Sequence, residues 1–200
     1  MGDKNIWLTS DTHFCHDRAF VYEPRGFSCI GDMNEAIVER WNSVVKPEDI
    51  VYHLGDVMLN DNDKGMEYLK KLNGEIHLLR GNHDTNSRIS LYAAAPNVVS
   101  TGDYATVIKY GKYSFYLSHY PTLTSNFDED ALIKTRVINL CGHSHIRNRF
   151  KDMDKGLIYH VEIDCHNNFP ISFDEILFDI NHFISMDKSD QIDIIKKDIY

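Results

Sequence analysis

The sequence predicts an α/β fold, because short apolar runs alternate with helix-like segments and polar clusters follow the ends of the runs. The runs are short and rich in β-branched residues, as is typical of strands. They cover residues 6–8, 50–54, 76–79, 106–110, 114–117, 137–141 and 157–163. Gly111 and Lys112 lie between two of the runs and predict a two-residue hairpin turn. The alternation favours layered packing, and the hairpin makes the sheets mixed.

Two segments between the runs carry apolar residues at helical spacing. They span residues 34–45 and 64–72, and Asp63 is the expected N-cap of the second. Residues 14–32 and 120–135 are long and polar, which predicts loops.

The chain is expected to form a single domain over residues 1–200. Residues 179–200 are an expected C-terminal helical extension, because their isoleucines recur at near-helical spacing. Such an amphipathic tail is expected to pack on the domain, with packing on a second subunit as the alternative. The sequence leaves the oligomeric state open.

Composition and charge exclude several classes of protein. The 200 residues include 42% hydrophobic residues and carry a net charge of -9, which argues against binding to duplex nucleic acid. Each apolar run is far shorter than the ~20 residues of a membrane span. The N-terminus does not have the pattern of a signal peptide, and the four cysteines form no CxxC pair. A cytoplasmic location with reduced thiols is therefore expected.

Polar side chains capable of binding metal ions cluster directly after the apolar runs. The clusters are Asp11 and His13; Gly55 and Asp56; Gly81, Asn82, His83 and Asp84; His119; and Gly142, His143 and His145. In α/β proteins, ligands bind outside the carboxyl ends of the strands. A glycine before a polar residue lets the backbone turn sharply and approach a ligand.

The donors are carboxylates, imidazoles and a carboxamide, which suit manganese, iron, zinc or nickel better than copper or an iron–sulfur cluster. One tetrahedral ion needs about four ligands. The number of candidate donors therefore predicts two divalent ions per chain.

The ordered motifs "DTH", "GD", "GNHD", "LSHYP" and "GHSH" resemble those of the calcineurin-like metallophosphoesterase superfamily. The stretches "DTHFCH" and "VYHLGD" are most similar to its small single-domain bacterial and phage members. The resemblance covers about residues 6–178, and Cys15 replaces the glycine usual at its position. It implies a four-layer αββα sandwich of two mixed β-sheets flanked by helices, and a hydrolase of phosphoric esters.

The resemblance also implies a role for each motif residue. Asp11, His13 and His145 are expected to hold one ion, and Asp56 to bridge both ions. Asn82, His119 and His143 are expected to complete the second site. His83 is the expected acid for the leaving group, and Asp84 is expected to orient His83. Manganese is the expected metal, with iron, nickel and zinc as alternatives.

Three further residues are candidate substrate contacts. His16 and Arg25 lie in the first polar loop, and the alternative for each is a solvated surface side chain. Tyr120 directly follows His119. Arginine binds phosphate through its planar fork.

Two divalent ions can orient a phosphoryl oxygen and supply a bridging hydroxide as the nucleophile. A count of charges favours a small phosphodiester, with cyclic nucleotides among the candidates. A phosphomonoesterase or protein phosphatase, a duplex nuclease and a non-catalytic scaffold of the same fold are the alternatives.

Overall fold

The protein contains two mixed β-sheets flanked by helices, as the computed structural model shows for residues 4–111, 113–124 and 136–197. The strands are β1 (Ile6–Thr9), β2 (Ile50–His53), β3 (Glu75–Leu78), β4 (Val98–Thr101), β5 (Ala105–Tyr110), β6 (Tyr113–Ser118), β7 (Arg136–Cys141), β8 (Ile158–His160) and β9 (Ile171–Ser172). The α-helices are α1 (Ala19–Tyr22), α2 (Ile30–Val44), α3 (Asn62–Lys71), α4 (Asn86–Tyr92), α5 (Phe173–Ser185) and α6 (Lys188–Lys196). The predicted fold class is confirmed.

Most neighbouring strands run parallel, which brings their carboxyl ends together. The first sheet has the order β4-β3-β2-β1-β9, and β1 to β4 pair in parallel while β9 is antiparallel to β1. The second sheet has the order β5-β6-β7-β8, in which the hairpin β5–β6 is antiparallel and the other two pairs described are parallel. Beyond the strand ends, Ser10 and Glu162 form a parallel bridge that joins the two sheets beside the predicted metal ligands.

In the described part of the chain, two hydrophobic clusters form the core, one on each face of the first sheet. The first lies under α2 and α3 and includes Trp41, Val51 and Leu69. The second combines residues of both sheets with α5, and Leu8 and Phe115 are fully buried there. The alternation of side chains along a strand explains why β1 serves both clusters, with Trp7 facing the first and Leu8 the second.

The structure corrects several local predictions. Asp61, not Asp63, caps α3, because the carboxylate of Asp61 accepts the Lys64 amide at 3.0 Å. Helix α2 begins at Ile30, within the predicted first loop, and the run at 157–163 contains a strand of only three residues. Strands β4 and β9 were not predicted, since β4 is largely exposed and β9 has two residues.

Tyr110 and Tyr113 pair across the predicted hairpin, and Gly111 has a φ of 56°. Lys112 and residues 125–135 of the second predicted loop lie outside the described residues.

The C-terminal residues form two helices rather than one. Helix α5 begins at a capping box between Ser172 and Glu175, well before residue 179, and its Ile180 and Phe183 are buried. Helix α6 packs on the second cluster through the partly buried Ile194 and Ile195. The side-chain amide of Asn148 donates to the carbonyls of Ile194 and Ile195 at 2.8 and 3.1 Å, and to Lys197 at 3.0 Å.

Deletion of residues 187–200 is expected to lower stability with little change in catalysis. Loss of two partly buried isoleucines and of the bonds from Asn148 corresponds to about 2–3 kcal/mol. That loss lowers Tm by about 4–12 °C in a chain of this size. Ile192→Ala is the control, because Ile192 is 48% exposed and its loss is expected to shift Tm only slightly. Calorimetry of both variants tests this, and an unchanged Tm for the deletion would contradict it.

Candidate metal centre

Five of the seven predicted metal ligands have left-handed backbone conformations just beyond the strand ends. Their φ angles are 59° at Asp11, 50° at His13, 58° at Asp56, 73° at His143 and 50° at His145. Such conformations are unfavourable for residues with a side chain and concentrate at functional sites. The backbone is held in place by bonds between the loops, since Asp11 N donates to Gly55 O at 2.9 Å and His13 N donates to Asp56 O at 3.1 Å.

Two glycines allow the ligand loops to approach each other closely. A Cβ at Gly142 would collide with the side chains of Ser10 and Asp11, and a Cβ at Gly81 would collide with the carboxylate of Asp56. The glycines before the polar residues are therefore required by close approach, as the sequence predicted.

The first group of donors consists of Asp11, His13 and His145. The Nε2 atoms of the two histidines are 3.1 Å apart. Asp11 Oδ1 lies 3.6 Å from the His13 nitrogen and 3.7 Å from the His145 nitrogen, and this buried oxygen accepts no hydrogen bond from the described residues. The other oxygen, Oδ2, is held by the Ser10 hydroxyl at 2.5 Å and by the His143 amide at 2.8 Å. One oxygen is thus anchored, and the other faces two imidazoles.

The second group surrounds Asn82. Its Oδ1 lies 2.8 Å from His119 Nε2 and 2.8 Å from His143 Nδ1. Asp56 Oδ2 is 3.5 Å from His119 Nε2 and also 3.7 Å from His13 Nε2 in the first group. His119 Nδ1 is 2.9 Å from Leu54 O, a contact that orients the ring with Nε2 toward Asn82 and Asp56. The structure brings all seven predicted ligands together at the junction of the two sheets.

The electrostatics of the site favour a bound cation. The pKa of Asp56 is raised to about 6, chiefly by burial, and the nearby Asp11 and Asp84 add to the effect. The pKa of Asp11 is lowered, because His13, His119 and His145 outweigh the opposing effect of burial. Burial lowers the pKa of His13 to about 4, which leaves its ring neutral and able to bind a metal ion at neutral pH.

The donor set fits divalent metal ions. Asp11, His13 and His145 form one group of potential ligand atoms within 4.8 Å of one another, and Asp11, Asp56 and His119 form another. Carboxylate, imidazole and amide oxygen suit borderline divalent metals. The unpartnered oxygen of Asp11 is the buried acceptor that such an ion would satisfy.

His83 and His16 face a cleft of about 340 Å³ beside these ligands. The side chain of His83 is 42% exposed, and its Nε2 is 3.9 Å from Asp56 Oδ2. The ring centroids of His16 and His83 are 6.3 Å apart. Phe20, Val21 and Pro24 form an apolar wall of the same cleft.

Asp84 was predicted to orient His83, but its carboxylate contacts other groups. Its carboxylate is buried and accepts hydrogen bonds from the Asp56 amide at 2.7 Å, the Gly81 amide at 2.9 Å and the Tyr92 hydroxyl at 2.8 Å. None of these partners is the ring of His83. A carboxylate that accepts backbone N–H groups fixes the chain that carries them, so Asp84 positions the Asp56 loop.

Arg25, predicted as a substrate contact, is not among the residues that line the cleft. It is buried, and its guanidinium donates to both oxygens of Asp164, from Nε at 2.9 Å and from Nη2 at 2.8 Å. Its fork is therefore occupied by a carboxylate. Tyr120 is 48% exposed, and its ring contacts those of His119 and His143 at centroid distances of 5.2 and 4.6 Å.

The sequence reasoning missed Asp164. Its Oδ2 lies 3.0 Å from His145 Nδ1, so it contacts a predicted ligand directly. Asp164 follows the last long apolar run, as the other acidic site residues follow theirs, and that signal could have identified it. His53 is fully buried, and its Nε2 lies 3.0 Å from the hydroxyl of Thr12, between the predicted ligands Asp11 and His13.

Carboxylates and imidazoles that converge at the strand ends of two packed sheets define a metal-dependent hydrolase of the α/β class. Residues 5–161 match the family model of the calcineurin-like phosphoesterase superfamily domain. The chain belongs to this family, and it is a hydrolase that acts on phosphoester bonds.

Similar proteins cover almost the whole chain. An uncharacterised protein of Methanocaldococcus jannaschii is 34% identical over 183 residues, which cover 88% of this chain and 92% of that protein. The gene 66 protein of Mycobacterium phage D29 is 28% identical over 86% of this chain and 94% of its own. A solved structure of a protein of unknown function from Aquifex aeolicus has a TM-score of 0.64 at 22% identity, and it covers 88% of this chain and 99% of that one.

Among the described residues, no helix is both long and apolar enough to cross a membrane.

Metal affinity is expected to fall as the pH falls below about 6, because metal binding must displace protons. The raised pKa of Asp56 means that this carboxyl holds a proton there in the metal-free protein. His145 holds one too, since Asp164 and Asp11 raise its pKa despite burial. Each displaced proton lowers the apparent affinity for Mn²⁺ about tenfold per pH unit.

Calorimetric titration with Mn²⁺ between about pH 5 and pH 7 measures this dependence. The control is Asp56→Asn. This variant is expected to bind Mn²⁺ more weakly, and its affinity is expected to change less with pH, because one proton fewer is displaced. An affinity independent of pH over this range would refute the expectation.

Proposed function

We propose that the protein is a dinuclear metal-dependent phosphodiesterase that hydrolyses a small phosphodiester, with cyclic nucleotides among the candidate substrates. The proposal of two ions rests on the position of Asp56. Its Oδ2 is within 3.7 Å of His13 in the first donor group and within 3.5 Å of His119 in the second. One carboxylate can therefore serve both groups, and the seven donors divide between two ions.

Two divalent ions, when bound, supply a hydroxide nucleophile near neutral pH and an electrophile for the phosphoryl oxygens. The roles of the protein residues follow from their positions. Asp11, His13 and His145 would hold one ion, Asn82, His119 and His143 the other, and Asp56 both. Manganese is the proposed metal, with iron, nickel and zinc as alternatives.

The shape of the cleft supports a small substrate with an organic substituent. A volume of about 340 Å³ admits a nucleotide-sized molecule. Phe20 is 71% exposed at the cleft, so its ring is free to pack against the organic part of a substrate. An organic group is present on both sides of a diester phosphate, whereas a monoester has one.

The charge balance favours a diester. Two ions (+4) with Asp11 and Asp56 (−2) leave about +2, and the charge of Asp164 is offset by Arg25 at 2.8 Å. A hydroxide nucleophile and a diester, each about −1, bring the sum to zero, whereas a monoester of about −2 leaves −1.

His83 is the proposed general acid. It lies in the cleft beside the metal ligands, and its side chain is 42% exposed, so a substrate can reach its ring. Its backbone amide donates to Asp56 Oδ1 at 2.8 Å, which fixes the chain near the reacting group. The proton held on the ring would pass to the leaving alkoxide. His16, whose ring lies near that of His83, is a proposed substrate contact.

Metal reconstitution with two model substrates tests the proposal. Metal-free protein loaded with Mn²⁺ is expected to bind about two ions per chain, to lose activity in EDTA, and to have a higher kcat/KM for bis-p-nitrophenyl phosphate than for p-nitrophenyl phosphate. Elemental analysis and initial rates measure both. A single ion at saturation would overturn the dinuclear assignment. A preference for the monoester above about tenfold, or ~1.4 kcal/mol, would indicate a phosphomonoesterase.

His83→Ala is expected to slow hydrolysis most for diesters with poor leaving groups. An alkoxide needs a proton in the transition state, and loss of a general acid reduces the rate roughly 10²–10⁴-fold. p-Nitrophenolate hardly needs one, so the loss should be much smaller for bis-p-nitrophenyl phosphate. Rates for a methyl and a p-nitrophenyl diester compare the two cases. Equal losses of rate for the two diesters would contradict the role of His83 as the acid. The control is His77→Ala, which removes an imidazole from strand β3.

A further inference from the structure

Asp164 connects a buried arginine to a proposed metal ligand. Its Oδ2 lies 3.0 Å from Nδ1 of His145 and accepts a hydrogen bond from Arg25 Nη2 at 2.8 Å, while its Oδ1 accepts from Arg25 Nε at 2.9 Å. The side chain of Arg25 is 1% exposed and that of Asp164 is 10% exposed. Arg25 and Asp164 therefore pair largely out of contact with water, whereas the side chain of His145 is 40% exposed.

The contacts determine which nitrogen of His145 carries the proton. An ionised carboxylate can only accept, so the 3.0 Å contact with Asp164 requires a hydrogen on Nδ1. Arg25 Nη2 also lies 3.4 Å from Nδ1, but it donates its shorter hydrogen bonds, at 2.8 Å, to Asp164 Oδ2 and Asp11 O. In the neutral ring, the lone pair is then on Nε2, the atom that faces His13 Nε2 at 3.1 Å and Asp11 Oδ1 at 3.7 Å. This is the tautomer that a metal ion at the first donor group requires.

Arg25 holds this arrangement from the other side. Its Nη2 also donates to Asp11 O at 2.8 Å, and its Nη1 donates to Thr12 O at 3.3 Å. Arg25 thus fastens the loop that carries Asp11 to the segment that carries Asp164. Its positive charge offsets the additional carboxylate, so Asp164 can remain ionised beside the other acidic groups of the site.

We propose that Asp164 is a positioning residue that selects the metal-binding tautomer of His145, and that Arg25 holds Asp164 in place. Partners of metal-bound histidines of this kind typically change metal affinity about 10–100-fold when they are lost. The inference rests on the proposed ligand role of His145, and it is independent of which phosphoester is the substrate.

The primary test is Mn²⁺ titration of Asp164→Asn, which keeps the shape of the side chain and removes its charge. One binding step is expected to weaken about 10–100-fold, while the step assigned to Asn82, His119 and His143 changes little. The control is Asp154→Asn, which removes the same charge at an exposed position. Wild-type affinity in Asp164→Asn would overturn the proposal.

A double variant separates positioning from simple stabilisation. Arg25→Gln combined with Asp164→Asn leaves the net charge unchanged and replaces the ion pair by two amides. We expect it to recover most of the Tm lost by Asp164→Asn but not the metal affinity. Recovery of both would show that the pair only stabilises the fold, which would overturn the proposal.

Nitrogen NMR of the metal-free protein provides a readout without metal or substrate. At about pH 9, where a histidine is ordinarily neutral, His145 is expected to carry its proton on Nδ1 in the wild type. In Asp164→Asn, the proton is expected to shift toward Nε2, because the amide oxygen bonds Arg25 and the amide nitrogen faces the ring. An Nε2-protonated ring in the wild type would overturn the inference.

Failure of the proposed function is distinguishable from failure of this inference. A monoester preference would change the substrate while the titrations of Asp164→Asn still behaved as described. A single bound ion that weakens in Asp164→Asn would overturn the dinuclear assignment and support the positioning role.

Discussion

The burial of three carboxylates at one junction is the constraint on which the structure depends. Asp11, Asp56 and Asp84 are at most 1% exposed, and both Asp11 and Asp84 contribute to the raised pKa of Asp56. Buried charges are unfavourable unless they are hydrogen-bonded or paired with cations. Backbone amides, the Ser10 hydroxyl and the ring of imidazoles provide part of that compensation. A cation bound at the centre would supply the rest, and it would then link metal binding to folding.

The arrangement of strands makes this concentration of donors possible. Parallel strands place their carboxyl ends on the same edge, and the bridge between Ser10 and Glu162 brings the edges of the two sheets together. Left-handed residues then turn the chain so that donors from different loops converge. Each such residue is unfavourable by about 1–3 kcal/mol. Bonds between the loops, such as that from Asp11 N to Gly55 O, hold these conformations in place.

The eleven histidines of the chain show that residue type alone does not decide a role. His160 is buried between Asp152 and Glu162, at 2.8 and 3.2 Å, and these acidic partners raise its pKa to about 12 although burial opposes the shift. His166 is also buried, and burial lowers its pKa to about 4. Neither lies in the two groups of potential metal ligands found among the described residues. The surrounding charges, rather than the imidazole itself, separate structural histidines from the candidate ligands.

The sequence by itself determined the fold class and the location of the candidate metal centre. Strand-length runs, the residues that follow them and the glycines before those residues are local patterns, and each is a direct consequence of backbone geometry. The tertiary structure decided the partners. Arg25 resembles a solvated loop residue in the sequence, yet it pairs with Asp164, 139 positions away. Asp84 bonds the amide of Asp56, 28 positions away, instead of the adjacent imidazole. The role of a charged side chain depends on the groups that folding brings within about 4 Å of it. The separation of two residues in the sequence does not predict their distance in space.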